Sequence, residues 1–206
     1  MLGGIIEVIP NSYSRDQLGK AFELDLYKYF LKRYGSESSE EFKFARLNFV
    51  KSLAAYCVVS YILQIKDRHN GNIMIDESGH LIHIDFGFIF DWSPGKDMRF
   101  ERSNFKLTQE FMDIMGGYHS EAYNLFVTKV IQGFLAVRKF SDEFVNLVEL
   151  MHYSGFPCFK PPSLTNLEWR FRKELDDFQA AIYMKGLIEH ARTTWTTVIY
   201  DLVQYK

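Results

Sequence analysis

Two cysteines in 206 residues, Cys57 and Cys158, are too few for a disulfide framework, which marks short, secreted, cysteine-dense chains. Cys57 stands inside an apolar run, where a free thiol behaves as a small hydrophobe. An excess of charge of one sign is also missing. With 24 basic against 26 acidic residues and a net charge of −2, the chain offers no basic face to neutralise a phosphate backbone, so nucleic acid is not an expected partner. No run is long enough to cross a bilayer. The most apolar stretch, 52–65, is closed by Lys51 and Lys66 and falls short of the roughly 20 residues a crossing helix needs. Met1-Leu2-Gly3-Gly4 lacks the basic opening of a signal peptide. Internal repeats and low-complexity tracts are absent as well. What remains is a soluble, cytosolic, globular chain, and its 47% hydrophobic and 17% aromatic content is ample for a core.

Ser14 with Gln17 has the spacing of a capping box, and Phe22, Leu26, Tyr29 and Phe30 recur at helical intervals, which predicts one helix running up to Gly35. Ser38 with Glu41 repeats the cap signature ahead of a long helix over 42–65. Its second half is nearly all apolar, as expected of a helix at the centre of a domain. Beyond a polar loop, 72–76 and 81–85 are short β-branched runs around Glu77-Ser78-Gly79-His80, a hairpin by composition and length. Residues 88–107 show no sustained period and read as a loop. Helices are expected over 108–115, 120–137, 141–153, 164–175, 177–190 and 193–205, broken by Gly116-Gly117, Gly155-Phe156-Pro157 and Pro161-Pro162. In the last of them Trp195, Val198, Ile199, Leu202 and Val203 form an apolar stripe suited to a core or to a membrane interface. The fold class expected is α+β and predominantly α, with a small β-hairpin against the long helix.

That hairpin is flanked by two phrases, Asp67-Arg68-His69-Asn70-Gly71-Asn72 and Asp85-Phe86-Gly87. In phosphoryl transfer a catalytic-loop acid is followed five positions on by a metal-binding Asn, and later by an Asp-Phe-Gly whose Asp binds metal. Asp67, Asn72 and Asp85 have that order and spacing. Either phrase alone is a weak signal; together, at the two ends of one hairpin, they bring two oxygen ligands within reach of a shared magnesium ion. Asp67 and His69 both qualify as general base, and the residues alone do not choose between them.

Lys66-Asp67-Arg68-His69-Asn70-Gly71-Asn72-Ile73-Met74 and His83-Ile84-Asp85-Phe86-Gly87 resemble the catalytic and metal motifs of the phosphoinositide kinases. Ordinary protein kinases write the loop in the order His-Arg-Asp. Leu63-Gln64-Ile65, Phe105-Lys106-Leu107-Thr108, Met115-Gly116-Gly117, Gly133 to Arg138 and Pro157-Cys158-Phe159 bring the chain nearest to the type III phosphatidylinositol 4-kinases. Arg99-Phe100-Glu101-Arg102-Ser103 leans toward their beta form.

The resemblance implies ATP- and magnesium-dependent phosphorylation of phosphatidylinositol at the inositol 4-hydroxyl, with Mn²⁺ as a substitute ion. It implies His69 as base, Asp67 supporting loop and acceptor, Arg68 tying the loop down, and Asn72 and Asp85 as metal ligands. Met74 and Ile84, with Asp85, would line the ATP site, although Met74 and Ile84 also suit plain core packing. Residues 66–72 become the catalytic loop, 85–107 the activation segment and 108–206 a helical part. Within 88–107, Lys96, Arg99, Arg102 and Lys106 face three acids, a weak positive balance that suits a weakly charged headgroup such as phosphatidylinositol.

No Gly-x-Gly-x-x-Gly loop or strand lysine precedes the catalytic loop, and Gly3-Gly4-Ile5-Ile6-Glu7 resembles the segment after the family's hinge. The expectation is therefore the C-terminal lobe of a bilobal kinase without its N-lobe, inactive by itself. Its expected partners are the N-lobe and helical regions of a parent chain, regulatory proteins and phosphatidylinositol in membranes. Its expected location is cytoplasmic and peripheral on Golgi or plasma membrane. Other readings of the same residues are a 3-kinase or Ser/Thr kinase, and a non-catalytic interaction module.

Overall fold

A computed structural model describes residues 3–22, 24–93 and 103–194. Its order is β1 (Ser12–Ser14), α1 (Arg15–Phe22), α2 (Leu26–Tyr34), α3 (Glu40–Leu63), β2 (Ile73–Asp76), β3 (Leu81–His83), α4 (Gln109–Ile114), α5 (Glu121–Arg138), α6 (Ser141–Met151), α7 (Pro161–Arg170) and α8 (Asp177–Thr193), with a 3₁₀ turn at Asn70–Asn72. The class is α+β and predominantly α, as expected.

Local chemistry explains most of the boundaries. The Ser14–Gln17 box forms in both directions, Gln17 N donating to Ser14 Oγ at 3.1 Å and Ser14 N to Gln17 Oε1 at 2.8 Å. The helix it opens is not continuous to Gly35. Asp25 is extended and accepts from Lys28 N at 2.8 Å, so it caps a second helix and competes with continuation of the first. The long helix is capped by Ser39 rather than Ser38, its Oγ accepting from Phe42 N at 3.3 Å, and Glu40 and Glu41 complement the helix dipole. It ends where Gln64 turns left-handed, at φ 51°.

α3 is the axis of the molecule. Phe42, Ala45, Phe49, Val50, Leu53, Ala54, Cys57, Val58 and Tyr61 are all buried along it, and it packs against α2, α5, α7 and β3. Phe30 meets Phe49 and Phe49 meets Phe111 edge to face, at centroid separations of 5.7 and 5.5 Å, pairings worth about 0.5–1.5 kcal/mol each beyond the area they bury.

The hairpin is joined by an unexpected third strand. β1 pairs antiparallel with β2, Tyr13 opposite Ile75, and β2 pairs with β3, Met74 opposite Ile82. Three residues of polar and aromatic character gave no alternation long enough to read. The turn between β2 and β3 is closed by Asp76 Oδ1, which accepts from Ser78 N at 2.9 Å and His80 N at 2.8 Å. α3 then clamps it, Asn48 Nδ2 donating to Ser78 O and Ser52 Oγ accepting from Leu81 N, both at 2.9 Å.

In the helical remainder, α7 starts at Pro161 instead of Leu164 and stops at Arg170 instead of Leu175. The two prolines occupy first-turn positions that need no N–H. Beyond Arg170 the chain turns, Arg172 taking a left-handed φ of 50°, and Arg138 at the end of α5 donates to the carbonyls of Phe171, Arg172 and Leu175 in that turn. α6 ends at Met151, short of the expected Tyr153, and α8 runs on to Thr193. The expected last helix and its Trp195 to Val203 stripe lie outside the described residues. Among the described residues no helix is long and apolar enough to cross a membrane.

Candidate active site

The end of α3 delivers the chain into the loop 66–72, and backbone bonds set the loop against the strand that returns. Lys66 N donates to Phe88 O at 2.9 Å, and Ile84 N donates to Asn72 O at 3.1 Å. Asn72 and Ile84 are therefore ladder partners just beyond the Ile73–His83 pair, and Asp85 is the next residue along. In a continued strand Asp85 would point to the opposite face from Ile84. Its φ of 57° ends the strand instead, and Asp67 at φ 63° makes a matching left-handed turn. Aspartate tolerates that region better than most residues, at a cost of about 1 kcal/mol or more.

Arg68 holds the two turns together. It is 3% exposed, with Nε donating to Lys66 O at 2.8 Å, Nη1 to Ile84 O at 2.6 Å and Nη2 to Asp85 O. One guanidinium thus spans the catalytic-loop phrase and the Asp-Phe-Gly phrase, and it also lies 5.6 Å from the Phe86 ring centroid.

Asn72 is 6% exposed, and its Nδ2 donates to Asp67 O at 3.0 Å. With the nitrogen so engaged, Oδ1 is the atom available to a cation. Asp85 is exposed, with Oδ1 3.4 Å from Gly87 N. Among the described residues no group of three or more His, Cys, Asp or Glu forms a metal cluster. Magnesium bound with nucleotide takes one or two protein oxygens and completes its shell with phosphates and water. The donor set, two hard oxygens from Asn72 and Asp85, fits such an ion.

His69 Nδ1 accepts from Gly71 N at 3.0 Å, and His69 Nε2 lies 3.9 Å from Asp67 Oδ2. With Nδ1 so occupied, the neutral ring carries its proton on Nε2, toward Asp67. A Cβ at Gly71 would stand 2.9 Å from His69 Cε1, so any larger residue here must displace the ring.

The hairpin faces differ in character. Ile73, Ile75, Leu81 and His83 are buried toward α3, whereas Met74, Ile82 and Ile84 are half-buried on the other side. Met74 faces Ile82 directly and Ile84 only diagonally. Ile82, which the sequence reading passed over, belongs to the same apolar surface, and its i,i+2 relation to Ile84 was the available signal. Beneath the surface His83 is 5% exposed, its ring tilted against that of Tyr56 at 4.4 Å, with Nδ1 buried and, among the described residues, without a hydrogen-bond partner. Burial, with the charges of Arg68 and Lys106 nearby, pushes its pKa down from 6.5 to about 3.

Lys106 is 7% exposed and donates from Nζ to Asn70 Oδ1 at 3.1 Å. It faces the catalytic loop rather than forming part of an exposed cationic loop. Lys96, Arg99 and Arg102 lie outside the described residues.

A loop acid, an asparagine five positions on and an Asp-Phe-Gly, folded onto one ribbon and bridged by one arginine, place the chain among kinases, a class that uses ATP and divalent metal. Residues 4–161 match the family model for phosphatidylinositol 3- and 4-kinase. Phosphatidylinositol 4-kinase STT4 of Saccharomyces cerevisiae is 49% identical over 98% of this chain and 11% of its own length. Phosphatidylinositol 4-kinase beta of Xenopus laevis is 45% identical over 98% of this chain and 25% of its own length. Phosphatidylinositol 4-kinase alpha 2 of Arabidopsis thaliana is 43% identical over 98% of this chain and 39% of its own length. The chain belongs to the phosphatidylinositol 3- and 4-kinase family. It spans well under half the length of these relatives, and the narrow spread of identities favours neither the alpha-named nor the beta-named form.

Proposed function

We propose that the kinase containing this chain transfers the γ-phosphate of ATP to the 4-hydroxyl of phosphatidylinositol, and that this chain is the C-terminal lobe of its catalytic domain. The observation that carries the reading is the ladder bond from Ile84 to Asn72, which brings the Asn72 amide and the Asp85 carboxylate to one end of the ribbon. Asn72 and Asp85 would hold Mg²⁺, or Mn²⁺ in its place, and the ion would supply charge neutralisation at the phosphates. Met74, Ile82 and Ile84 give flat apolar surface for adenine.

The attacking oxygen forms its bond to the γ-phosphorus as the bond to ADP breaks, and the hydroxyl proton goes to the Asp67–His69 pair. His69 Nδ1 is already an acceptor for Gly71, so the ring takes that proton only by releasing Gly71 or by passing its Nε2 proton to Asp67. The two residues therefore act as a unit. Arg68 keeps both turns in register. Acting on a membrane lipid, the enzyme would work from the cytoplasm at a membrane surface, and Lys96, Arg99 and Arg102 are the cations expected to serve the headgroup. The remaining lobe and helical regions of the parent chain are the expected partners.

The test is product analysis with the intact kinase, phosphatidylinositol and a Ser/Thr peptide in the presence of labelled ATP. Phosphatidylinositol 4-phosphate is the expected product, lost on Asp85→Ala by at least about 10³-fold. A 3-phosphate or a labelled peptide overturns the acceptor assignment. Undiminished turnover by Asp85→Ala overturns the metal assignment.

A further inference from the structure

The catalytic loop is tied to its surroundings on two sides. Toward Asp-Phe-Gly, Arg68 and the Ile84–Asn72 bond fasten its two ends. Toward the start of α4, a lysine fastens its middle: Lys106 Nζ donates to Asn70 Oδ1 at 3.1 Å. Asn70 stands between His69 and Gly71 and opens the 3₁₀ turn, in which Gly71 N donates to His69 Nδ1 and Asn72 N to His69 O, both at 3.0 Å. Those two bonds lie within the loop, so they set its shape and leave its place to be fixed from outside.

Of the two partners, Lys106 has the firmer seat. Its neighbours Phe105 and Leu107 are buried in the core. Ser103 Oγ donates to Phe105 O at 2.7 Å, and Thr108 Oγ1 caps α4 by accepting from Phe111 N at 3.4 Å. Glu110, in the first turn of α4, accepts from Arg15 Nε at 2.6 Å and from Nη2 on its other oxygen. From this anchored stretch the lysine reaches the loop while only 7% exposed. Taking an ammonium group that far out of water is unfavourable for folding, and an unbranched apolar side chain of similar length would not meet that penalty. Departures of this kind from ordinary burial mark functional sites.

We infer that Lys106 is a positioning residue for phosphoryl transfer: by holding Asn70 it sets where the His69 ring stands beside Asp67, and so where the acceptor's proton is received. The inference rests on reading the Asp67–His69 pair as the proton acceptor. It gives Lys106 a part in turnover and none in binding the headgroup. A lysine that served the lipid directly would act on KM, and one that served only the fold would act on Tm.

In the intact kinase, Lys106→Met is expected to lower kcat about 10- to 100-fold while KM for ATP and for phosphatidylinositol stays within about twofold. Tm should hold or rise, because the change removes a nearly buried charge. Asn70→Ala should reproduce the loss of kcat, and the double variant should be no worse than either change alone, since both remove one bond. Amide hydrogen exchange at Gly71 and Asn72 should be severalfold faster in Lys106→Met, a readout independent of turnover. An unchanged kcat, a raised lipid KM, a Tm that falls in step with activity, additive losses in the double variant, or unchanged exchange each overturns the inference. His69→Ala tests the underlying reading separately. If that change leaves kcat intact, the proton-acceptor assignment fails, and exchange alone decides whether Lys106 holds the loop. If His69→Ala lowers kcat and Lys106→Met then lowers it again by its full factor, the assignment stands and the positioning role is overturned.

Discussion

The ribbon of residues 66–87 and the helical body built on α3 are held by different forces. In the body, Phe30, Phe49, Phe111, Tyr61 and Phe134 interlock edge to face, and its stability follows apolar area. In the ribbon, two left-handed aspartates and a buried arginine with three backbone acceptors hold a shape that apolar packing alone would not select. Burial tolerates small errors of position, whereas directed hydrogen bonds to fixed carbonyls do not. The division suits phosphoryl transfer, in which catalysis is almost entirely positioning. It also predicts that the two regions fail in different ways.

The largest effect on folding is expected in the body. Phe49 is fully buried between Phe30 and Phe111, so Phe49→Ala should cost about 3–5 kcal/mol in denaturant titration. A cost under about 1 kcal/mol would remove the contrast.

Gly71→Ala tests the ribbon. The added Cβ meets the His69 ring at Cε1 and Nδ1, and the ring can swing aside, so Tm should hardly move while kcat of the intact kinase falls about 10- to 100-fold. A loss of Tm to match would show that the ribbon is load-sharing with the core.

Acidification sharpens the boundary between the two, where His83 sits. Its folded pKa, about 3, lies below the ordinary 6.5, so between those values the unfolded chain binds a proton that the folded chain refuses. This contribution is complete above pH 6.5 and drains away as pH falls, by up to about 1.4 kcal/mol per unit. Denaturant midpoints measured from pH 7 to pH 5 should fall accordingly, and His83→Gln should flatten the slope. The smallest effect is expected at the rim of the body: the Lys43–Glu40 pair is solvent-exposed, and Lys43→Ala should change stability by less than about 0.5 kcal/mol in the same titration.

The parts legible in advance were those written locally. The Ser14–Gln17 box and the apolar length of α3 act within a turn or along one helix, and the order of Asp67, Asn72 and Asp85 spans one hairpin. Two local caps, Asp25 and Ser39, were also missed, but the rest of what went unread depends on partners far along the chain. β1 exists because β2 offers it an edge, Arg138 reaches from the end of α5 into the turn that follows α7, and Asp91 looks like any loop acid until Ser163 and Asn166 arrive from more than 70 positions away. Lys106 was grouped with the loop cations by charge, yet the fold buries it against Asn70.

By itself, then, the order of amino acids determined the hairpin, the central helix and the chemistry on offer, because capping, periodicity and motif spacing are short-range properties. Only the tertiary structure decided that Arg68 would bridge the two motifs, that His69 would spend Nδ1 on Gly71, and that α7 would hold the chain beyond Asp-Phe-Gly. Each of these needs a donor and an acceptor brought together in space, and a linear pattern cannot specify the direction of a hydrogen bond.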